Sequence, residues 1–572
     1  MSLRIFAIVL ALGTTALQAT QPLRIVGTGA RIAYTRFTTS GTATAFWQRT
    51  PHVLGGPVAE LDIGFMNWLH STTAEVQSDS AVTLHFAWIT RASTGQVVPL
   101  TFAGQRQLSM PANSTQAYFL ADAIPSSTWT GAAPARDEIF WVYAKGSVAT
   151  AGSICLGTPS TYSGARFAIY DPVNDPGTKD FAGALPSITG QNARTDALPM
   201  VFLGRYTGPG HLSVIGVGDS IMSGTGDTAN PVPVISGYGF FNRAAVDAGG
   251  ANAIAMMNIS RHGEAAANWV SSHGLRQQLL AFGNVAVEEY GTNDIGSNGG
   301  SANVTNIYNR LVSVWGNIRT AGVQHILRTR LLPRTTSASG NWISLADQTP
   351  NPGWGAGGAR DQINSLFTTA LSEGKIDTVV DSLTAVQDPA DDHCWISTGA
   401  ADYATSDGTH ARSASNALIA PVLRDALLAT KVDDYAAWAA TIPWGGADRS
   451  ATADPNADSV PNLLAYALDA PGMTSATTFL PQAQTDTTTS GGPWLSFTYR
   501  KTERAADLIH SVQTSTTLSG WAPVTIDGVN FITETAHPDP DGDGSCVLIR
   551  VRIRLQASDP VLFVRLQVTQ AP

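Results

Sequence analysis

The sequence predicts a multi-domain protein in which a central α/β/α domain with a parallel sheet lies between an N-terminal all-β domain and a C-terminal β-domain. The chain has 572 residues, enough for about three domains of ordinary size. Polar and apolar residues alternate near both ends of the chain, as in strands with one buried face. In the middle, short apolar runs alternate with segments of helical periodicity, which is typical of a parallel sheet covered by helices.

Composition and charge narrow the classes of function. Hydrophobic residues make up 43% of the chain and charged residues 14%, a globular composition that is too apolar for a disordered protein. The formal net charge is −10 and there is no basic run, so the sequence lacks the electrostatic signature of nucleic-acid binding.

Residues 1–19 have the pattern of a secretory signal peptide. Arg4 precedes the apolar stretch 5–17, which is short for a bilayer span, and Ala19 offers a small residue for cleavage. We therefore expect a secreted, periplasmic or cell-surface protein with no membrane span after removal of the signal. An N-terminal anchor helix is the alternative interpretation.

Residues 20–206 are predicted to form the N-terminal all-β domain. Segments such as 81–90 and 137–146 alternate in polarity, and turn residues recur about every ten positions. This pattern favours a β-sandwich or jelly-roll.

Residues 207–430 are predicted to form the central α/β/α domain. The segment 304–322 has apolar residues at helical spacing, and a further helix closes the region at 415–430. The predicted strands are apolar runs at 211–220, 251–260, 283–294 and 323–333.

Residues 431–472 are interpreted as a linker or small module, and residues 473–572 as the C-terminal β-domain. The segment 454–465 resembles a calcium-binding loop, with Asp454, Asn456 and Asp458 at ligand positions. Other residues replace its glycine and its bidentate glutamate, so a lapsed site is favoured. The acidic segment 539–545 is interpreted as a hairpin loop, with calcium binding as the alternative.

The three cysteines, Cys155, Cys394 and Cys546, fit neither a disulfide framework nor a zinc site. One pair could form a disulfide in an oxidising compartment, and three free thiols are at least as compatible with the sequence. The pairing stays open.

Ser220 is the first candidate for chemistry. It ends the apolar run 211–220 in Gly-Asp-Ser, and a helix is predicted to begin there. Ligands of open parallel sheets collect at the carboxyl ends of strands. A helix N-terminus also favours the negative charge that develops beside an attacking nucleophile. A helix N-cap serine is the alternative.

Asp407 and His410 lie three residues apart in a predicted loop before the closing helix. A serine hydroxyl needs a base, and that base needs an orienting carboxylate, which one short loop can supply together. The alternative is a solvated turn with an incidental histidine.

Asn293 and Gly263 each follow a predicted strand. A side-chain amide or the bare N–H of a glycine can donate to an oxyanion. Taken singly, each could also be an ordinary turn residue.

In the order Ser, Gly, Asn and Asp-x-x-His, these residues together resemble the SGNH hydrolase family, the GDSL-like esterases and lipases. The resemblance covers about residues 211–430 and implies a flavodoxin-like central domain. It departs from the family at Ile221, where the family name expects leucine. The matching blocks are Gly-Asp-Ser at 218–220, Gly263, Gly-Thr-Asn-Asp at 291–294 and Asp-Gly-Thr-His at 407–410.

The resemblance implies a serine esterase that works through an acyl-enzyme, without a metal or cofactor. Ser220 would attack the ester, His410 would act as its base, and Asp407 would orient the imidazole. The N–H groups of Ser220 and Gly263 and the amide of Asn293 would stabilise the oxyanion.

An acylated carbohydrate is the expected substrate, with removal of acetyl groups as the expected reaction. Candidate substrate contacts are Asp219, His262 and Trp395, although core packing is favoured for Trp395. His262 and Arg261 could touch the substrate or simply lie at the surface. A lipase or thioesterase on the same scaffold stays open, as does a non-catalytic glycan-binding or adhesion protein, and the sequence does not indicate the oligomeric state.

Overall fold

The computed structural model describes most of the chain from residue 22 to residue 430, together with residues 4–7 and parts of the C-terminal segment. Up to 430 the described ranges are 22–157, 164–194, 197–208, 210–229, 237–296 and 299–430. Beyond 430 they are 432, 435, 438–439, 442–486, 493–502, 508–517, 520–537, 540, 546–555 and 561–570.

Five parallel strands form the core sheet of the larger unit within the described residues, and four of them lie in the predicted apolar runs, while Thr378–Val380 was not predicted. Their order across the sheet is β2-β1-β3-β4-β5, the order of flavodoxin-like folds. Most of their residues are buried, which is why they read as apolar runs rather than as alternating segments. The strands are β1 (Ser213–Val217), β2 (Ala255–Asn258), β3 (Val285–Glu288), β4 (His325–Thr329) and β5 (Thr378–Val380).

Among the described residues, seven helices accompany these strands, and six of them form two packed groups. One group pairs α1 with α7, and the other packs α2, α3 and α6 against α5, as expected for helices on two faces of a sheet. The helices are α1 (Gly239–Arg243), α2 (Ala266–Ser271), α3 (Gly274–Leu280), α4 (Thr292–Ile295), α5 (Val304–Thr320), α6 (Ala359–Ser372) and α7 (Ser413–Ala429). Two short hairpins complete the region, Thr335–Ser337 with Gln348–Pro350 and Gln387–Asp388 with Asp391–Trp395.

The central sheet does not end at the parallel strands. Strand Ala30–Arg31 pairs with β2 in parallel, and antiparallel strands from the same N-terminal region extend the sheet to eleven strands. The added antiparallel strands are Met200–Tyr206, Val58–Phe65, Phe119–Leu120, Arg24–Ile25 and Ile124–Pro125.

This sheet corrects the predicted boundary between residues 206 and 207. Residues 24–206 and 211–430 form one compact unit, so the N-terminal β-region is not set apart from the central region. The reason is physical: alternation along a strand shows that the strand exists but does not show which strand it pairs with. Gly55 marks the close contact, since a Cβ there would lie 2.4 Å from the backbone nitrogen of Ala255 in β2.

The N-terminal region also builds a second layer of sheet. Side chains of both sheets, including Phe46, Ile63, Leu84 and Phe202, share one buried core, which is the packing of a sandwich. The seven-stranded sheet contains Val97–Pro99, Val82–Arg91, Ile139–Val148, Ala45–Val53, Arg166–Tyr170, Asn192–Arg194 and Leu108–Met110. A four-stranded sheet contains Ser153–Gly157, Ala33–Thr38, Trp68–His70 and Glu75–Gln77.

The second compact unit comprises the described parts of 1–23, 207–210 and 431–572. Its two four-stranded sheets share a core that includes Leu495, Val512, Val551 and Val564. One sheet contains Arg4–Ala7, Val561–Gln570, Leu508–Ser515 and Ala522–Pro523, and the other Gln482–Asp486, Trp494–Thr502, Cys546–Arg554 and Phe531–His537. A short helix, α8 (Asn462–Ala467), lies in the segment predicted as a linker. Among the residues described, no helix has the length and apolar character needed to cross a bilayer.

Candidate active site

Ser220 lies just beyond the carboxyl end of β1, as predicted, and its Oγ is 2.7 Å from His410 Nε2. The helix expected to begin at Ser220 is absent. Residues 220–226 form turns instead, because Gly224 and Gly226 adopt positive φ angles of 81° and 90° that break a helix. Gly224 has no room for a side chain, since a Cβ would lie 2.6 Å from Gly239.

His410 and Asp407 occupy the loop before α7, and their side chains meet directly. His410 Nδ1 is 2.6 Å from Asp407 Oδ2. Because a carboxylate only accepts hydrogen bonds, Nδ1 carries the proton and Nε2 is left to accept from the Ser220 hydroxyl. The structure therefore brings together the three residues predicted for nucleophile, base and orienting carboxylate.

Asp407 is held in its ionised form. Burial opposes ionisation, but hydrogen bonds from the His410 imidazole and from the N–H groups of His410 and Thr409 outweigh it and keep the pKa of Asp407 below its usual range. The two N–H donors lie 2.8 and 2.9 Å from Asp407 Oδ1. The carboxylate thus keeps a charge that can stabilise an imidazolium.

Two of the predicted oxyanion donors are available. Within the described residues, neither the Ser220 N–H nor the Gly263 N–H has a hydrogen-bond partner. Gly263 is exposed and has a φ of +73°, in the region that favours glycine. The segment before it runs along the nucleophile loop, where Arg261 N donates to Gly218 O and Ser260 Oγ lies 2.7 Å from Ser223 Oγ.

Asn293, the third predicted donor, is already engaged by the protein. Its Nδ2 donates to Asp219 Oδ2 at 2.9 Å and to the carbonyl oxygen of Glu264 at 3.0 Å. Both partners are acceptors, so the amide nitrogen rather than the amide oxygen must face them. Both N–H bonds of Asn293 therefore hold the loops of the site together in this structure.

Two predicted substrate contacts are corrected by their burial. Asp219 has no exposed surface, and its oxygens accept from the N–H of Ile221 and from the amide of Asn293. Trp395 is also fully buried, and its Nε1 donates to the carbonyl of Gly408 beneath the catalytic loop. An aromatic residue in a polar segment can wall a pocket or anchor a loop, and here the favoured alternative, core packing, is the one observed.

Glu289 belongs to the site although the sequence motifs did not single it out. It follows β3 and is buried, and its Oε2 accepts from the N–H of Asp219 at 3.1 Å and from that of Met222 at 3.3 Å. Burial and repulsion from Asp219 raise the pKa of Glu289. The sequence position of Glu289 could have indicated its role. A glutamate at the end of a buried apolar strand is rarely buried unless it has a specific partner.

A buried ionic network supports the loop that carries Gly263. Arg276 of α3 donates to both carboxylate oxygens of Glu264 at 2.8 Å and to Glu75 of the N-terminal region at 3.1 Å. His70 Nε2 lies 3.1 Å from Glu264 Oε1. Burial opposes ionisation of Glu264, but Arg276 and His70 lower its pKa to about 2.

The groups considered for metals and disulfides have the following environments. All three cysteines are buried and none of them forms a disulfide. The carboxylates of Asp454 and Asp458 accept backbone N–H groups, and most of the predicted loop 539–545 lies outside the described residues. Within the part of the chain that is described, one group has side chains close enough together to hold an ion, Asp391, Asp392 and His393.

Comparison with solved structures finds several proteins that align with about 38% of this chain and one that aligns with 66% of it. A GDSL-like lipase from Bacteroides thetaiotaomicron is 14% identical, with 38% of this chain and 87% of that chain aligned and a TM-score of 0.25. An acetylxylan esterase from Geobacillus stearothermophilus is 14% identical, with 38% and 95% aligned and a TM-score of 0.26. A family 3 carbohydrate esterase from Talaromyces cellulolyticus is 16% identical, with 38% and 95% aligned and a TM-score of 0.25.

No family model matches the chain, and no curated protein matches it. At such identities and TM-scores, the neighbours carry no information about the substrate of this chain.

Proposed function

We propose that this chain is a serine esterase whose nucleophile is Ser220. The observation that carries the proposal is the continuous chain of hydrogen bonds from Ser220 Oγ through His410 to Asp407, with distances of 2.7 and 2.6 Å. The Ser220 hydroxyl donates to one nitrogen of the His410 imidazole, and the other nitrogen donates to the Asp407 carboxylate. This arrangement is the one that activates a serine for nucleophilic attack.

The reaction proceeds in two halves. Ser220 Oγ attacks the ester carbonyl as His410 Nε2 takes its proton, and the N–H groups of Ser220 and Gly263 receive the oxyanion. His410 then gives the proton to the leaving alcohol, which yields an acyl-enzyme. A water molecule, deprotonated by His410, attacks the acyl carbon, and the proton returns to Ser220 as the acid departs.

The substrate we propose is an acylated carbohydrate with a short acyl group such as acetyl. The wall of the cavity beside the nucleophile loop includes the charged and polar side chains of Arg31, Thr225, Arg261 and His262, together with the rings of Tyr34 and Tyr238. We expect the two arginines to favour a polar substrate over the long acyl chain of a lipase substrate. We also propose that residues 1–19 are a signal peptide and that the mature protein acts outside the cytoplasm.

The test compares hydrolysis of nitrophenyl acetate and nitrophenyl decanoate by the wild-type protein and by Ser220→Ala. We expect acetate to be the better substrate, and kcat/KM to fall by at least about 10⁴-fold in the variant. Ser365→Ala removes an exposed hydroxyl from α6 and is the matched control, which should keep wild-type activity.

Three outcomes would contradict the proposal in different ways. Activity retained by Ser220→Ala would show that another residue is the nucleophile. A preference for decanoate would favour a lipase. No turnover by the wild-type protein, with binding to glycans retained, would favour the non-catalytic reading.

A further inference from the structure

A cavity of about 520 Å³ lies against the loop that follows Ser220, within the larger unit. Thr225 forms part of its wall, with its N–H donating to the carbonyl of Ser220 and its Oγ1 lying 2.6 Å from His262 Nδ1. On this loop a Cβ at Gly226 would lie 3.1 Å from His410 Cβ. The cavity is therefore built on the nucleophile loop itself, next to the base.

The charges around this cavity are mostly positive. Arg31 and Arg261 both line it. The carboxylate in its lining, Asp227, is already engaged by Arg243 at 2.7 Å, by the N–H of Gly239 and by the hydroxyl of Ser413. Burial, reinforced by the positive charges of Arg261 and Arg31, lowers the pKa of His262 to about 4. An anion entering the cavity would meet a favourable potential.

Arg261 is positioned to bind such an anion. Its Nε donates to the carbonyl of His70 at 2.6 Å, and its guanidinium carbon lies 5.2 Å from the ring centroid of Tyr34. Within the described residues, its two terminal nitrogens make no hydrogen bond, and no carboxylate lies within ion-pair distance. Arg261 is held at Nε, and its two terminal NH2 groups remain available to form two parallel hydrogen bonds with the carboxylate of a ligand.

A second arginine near the site has the same character. Arg334 is half-buried with its guanidinium carbon 5.9 Å from the ring centroid of Trp354, and among the described residues it has no ion-pair partner. Burial lowers the pKa of Arg334, while the negative charges of Asp219 and Asp407 act to raise it. This arginine is thus close enough to the catalytic groups to sense their charge.

We propose that the ester substrate carries a carboxylate, which Arg261 binds in this cavity, as an acylated saccharide containing uronic acid residues would provide. The inference rests on the proposed esterase function and specifies its substrate class. A planar guanidinium binds a carboxylate through two parallel hydrogen bonds.

The experiment compares kcat/KM for matched acidic and neutral esters. One pair is acetylated methyl galacturonoside and acetylated methyl galactoside, in which the acid lies in the alcohol part. The other pair is nitrophenyl hemisuccinate and nitrophenyl acetate, in which the acid lies in the acyl part. We expect the wild-type protein to prefer the acidic member of one pair by at least about tenfold.

Arg261→Gln should lower the ratio of kcat/KM for the acidic ester to that for the neutral ester by roughly 10- to 100-fold, because it removes the positive charge and the two paired N–H donors. Arg261→Lys keeps the charge without the paired donors and should lower the ratio by less. Arg166→Gln removes an exposed arginine from the seven-stranded sheet and should leave the ratio unchanged.

The outcomes separate this inference from the esterase proposal. Turnover that depends on Ser220 but shows equal rates for acidic and neutral esters in both pairs overturns the carboxylate site and leaves the esterase standing. If the wild-type protein hydrolyses no ester, calorimetric titration with methyl galacturonoside and methyl galactoside decides the point. Selective binding of the acid that is lost in Arg261→Gln supports the site, and equal or absent binding overturns it.

Discussion

Glu289 provides the sharpest test of the electrostatics beneath the nucleophile. Its carboxyl group is buried, accepts two backbone N–H groups, and faces Asp219, so burial and repulsion raise its pKa well above the ordinary value of 4.5. Burial also raises the pKa of Asp219, to about 6, while burial and the Asp219 charge raise the pKa of Glu289 well above 4.5. We expect Glu289 to be the protonated partner. Glu289→Gln should therefore preserve the neutral group and its hydrogen bonds.

The expected magnitude follows from linkage between protonation and folding. Above pH 4.5, the unfolded chain releases the proton of Glu289 while the folded protein keeps it, so folding of the wild-type protein becomes less favourable as pH rises. The loss amounts to about 1.4 kcal/mol for each pH unit over which the folded carboxyl stays protonated. Glutamine releases no proton, so the variant should gain stability relative to the wild-type protein by that amount per unit.

The assay is chemical denaturation of the wild-type protein and Glu289→Gln at pH 4.5, 5.5 and 6.5. Glu373→Gln, at an exposed position just after α6, is the matched control and should show no such trend. A difference in unfolding free energy that stays constant with pH would show that Glu289 is ionised in the folded protein. A glutamine variant that is less stable than the wild-type protein at every pH would refute the reasoning equally.

The remaining predictions concern the catalytic loop, the oxyanion donors and the N-terminus. Asp407→Asn should lower kcat by about 10³–10⁴-fold, because a neutral amide no longer fixes the imidazole proton on Nδ1, and steady-state kinetics on nitrophenyl acetate measures it. Gly263→Ala should lower kcat by up to about 10²-fold. Alanine disfavours the φ of +73° that Gly263 adopts, and its Cβ would lie 3.3 Å from Thr72 Cγ2, so the backbone N–H would be displaced. An unchanged kcat would show that Gly263 is not an oxyanion donor. Mass spectrometry of the exported protein should find the chain starting near residue 20, whereas an intact Met1 would contradict the signal peptide.

The convergence of Ser220, Asp407 and His410 could be predicted from the sequence because each residue sits in a short motif whose context is local. Ser220 ends an apolar run, and Asp407 and His410 share one loop, so their convergence followed from the rule that sites gather at strand ends. The turn after Ser220 was not predicted as such, because apolar residues after a strand read as a helix until the positive φ angles of Gly224 and Gly226 are known.

Long-range contacts explain what the sequence could not show. The partner of an alternating strand is set by residues far along the chain, so the sequence did not show that Ala30–Arg31 pairs with β2. For this reason the N-terminal region was predicted as a separate domain. The burial of Trp395 and the pairing of Glu289 with Asp219 also depend on segments separated by many residues. A motif identifies reactive groups, but it does not identify the groups that hold them.

The contacts of the loop that carries Gly263 connect the N-terminal region to the candidate active site. Glu264, the next residue, has its charge neutralised by Arg276 and lies 3.1 Å from His70 Nε2, and Arg276 also binds Glu75. Two of these partners, His70 and Glu75, come from the N-terminal β-region, and His70 also supplies the carbonyl that fixes Arg261. Asn293 donates to the carbonyl of Glu264 and to Asp219. Displacement of this network would therefore shift the N–H of Gly263, the amide of Asn293 and the guanidinium of Arg261 at the same time. We therefore expect a variant without the β-region to lose the proposed esterase activity even if the parallel sheet still folds.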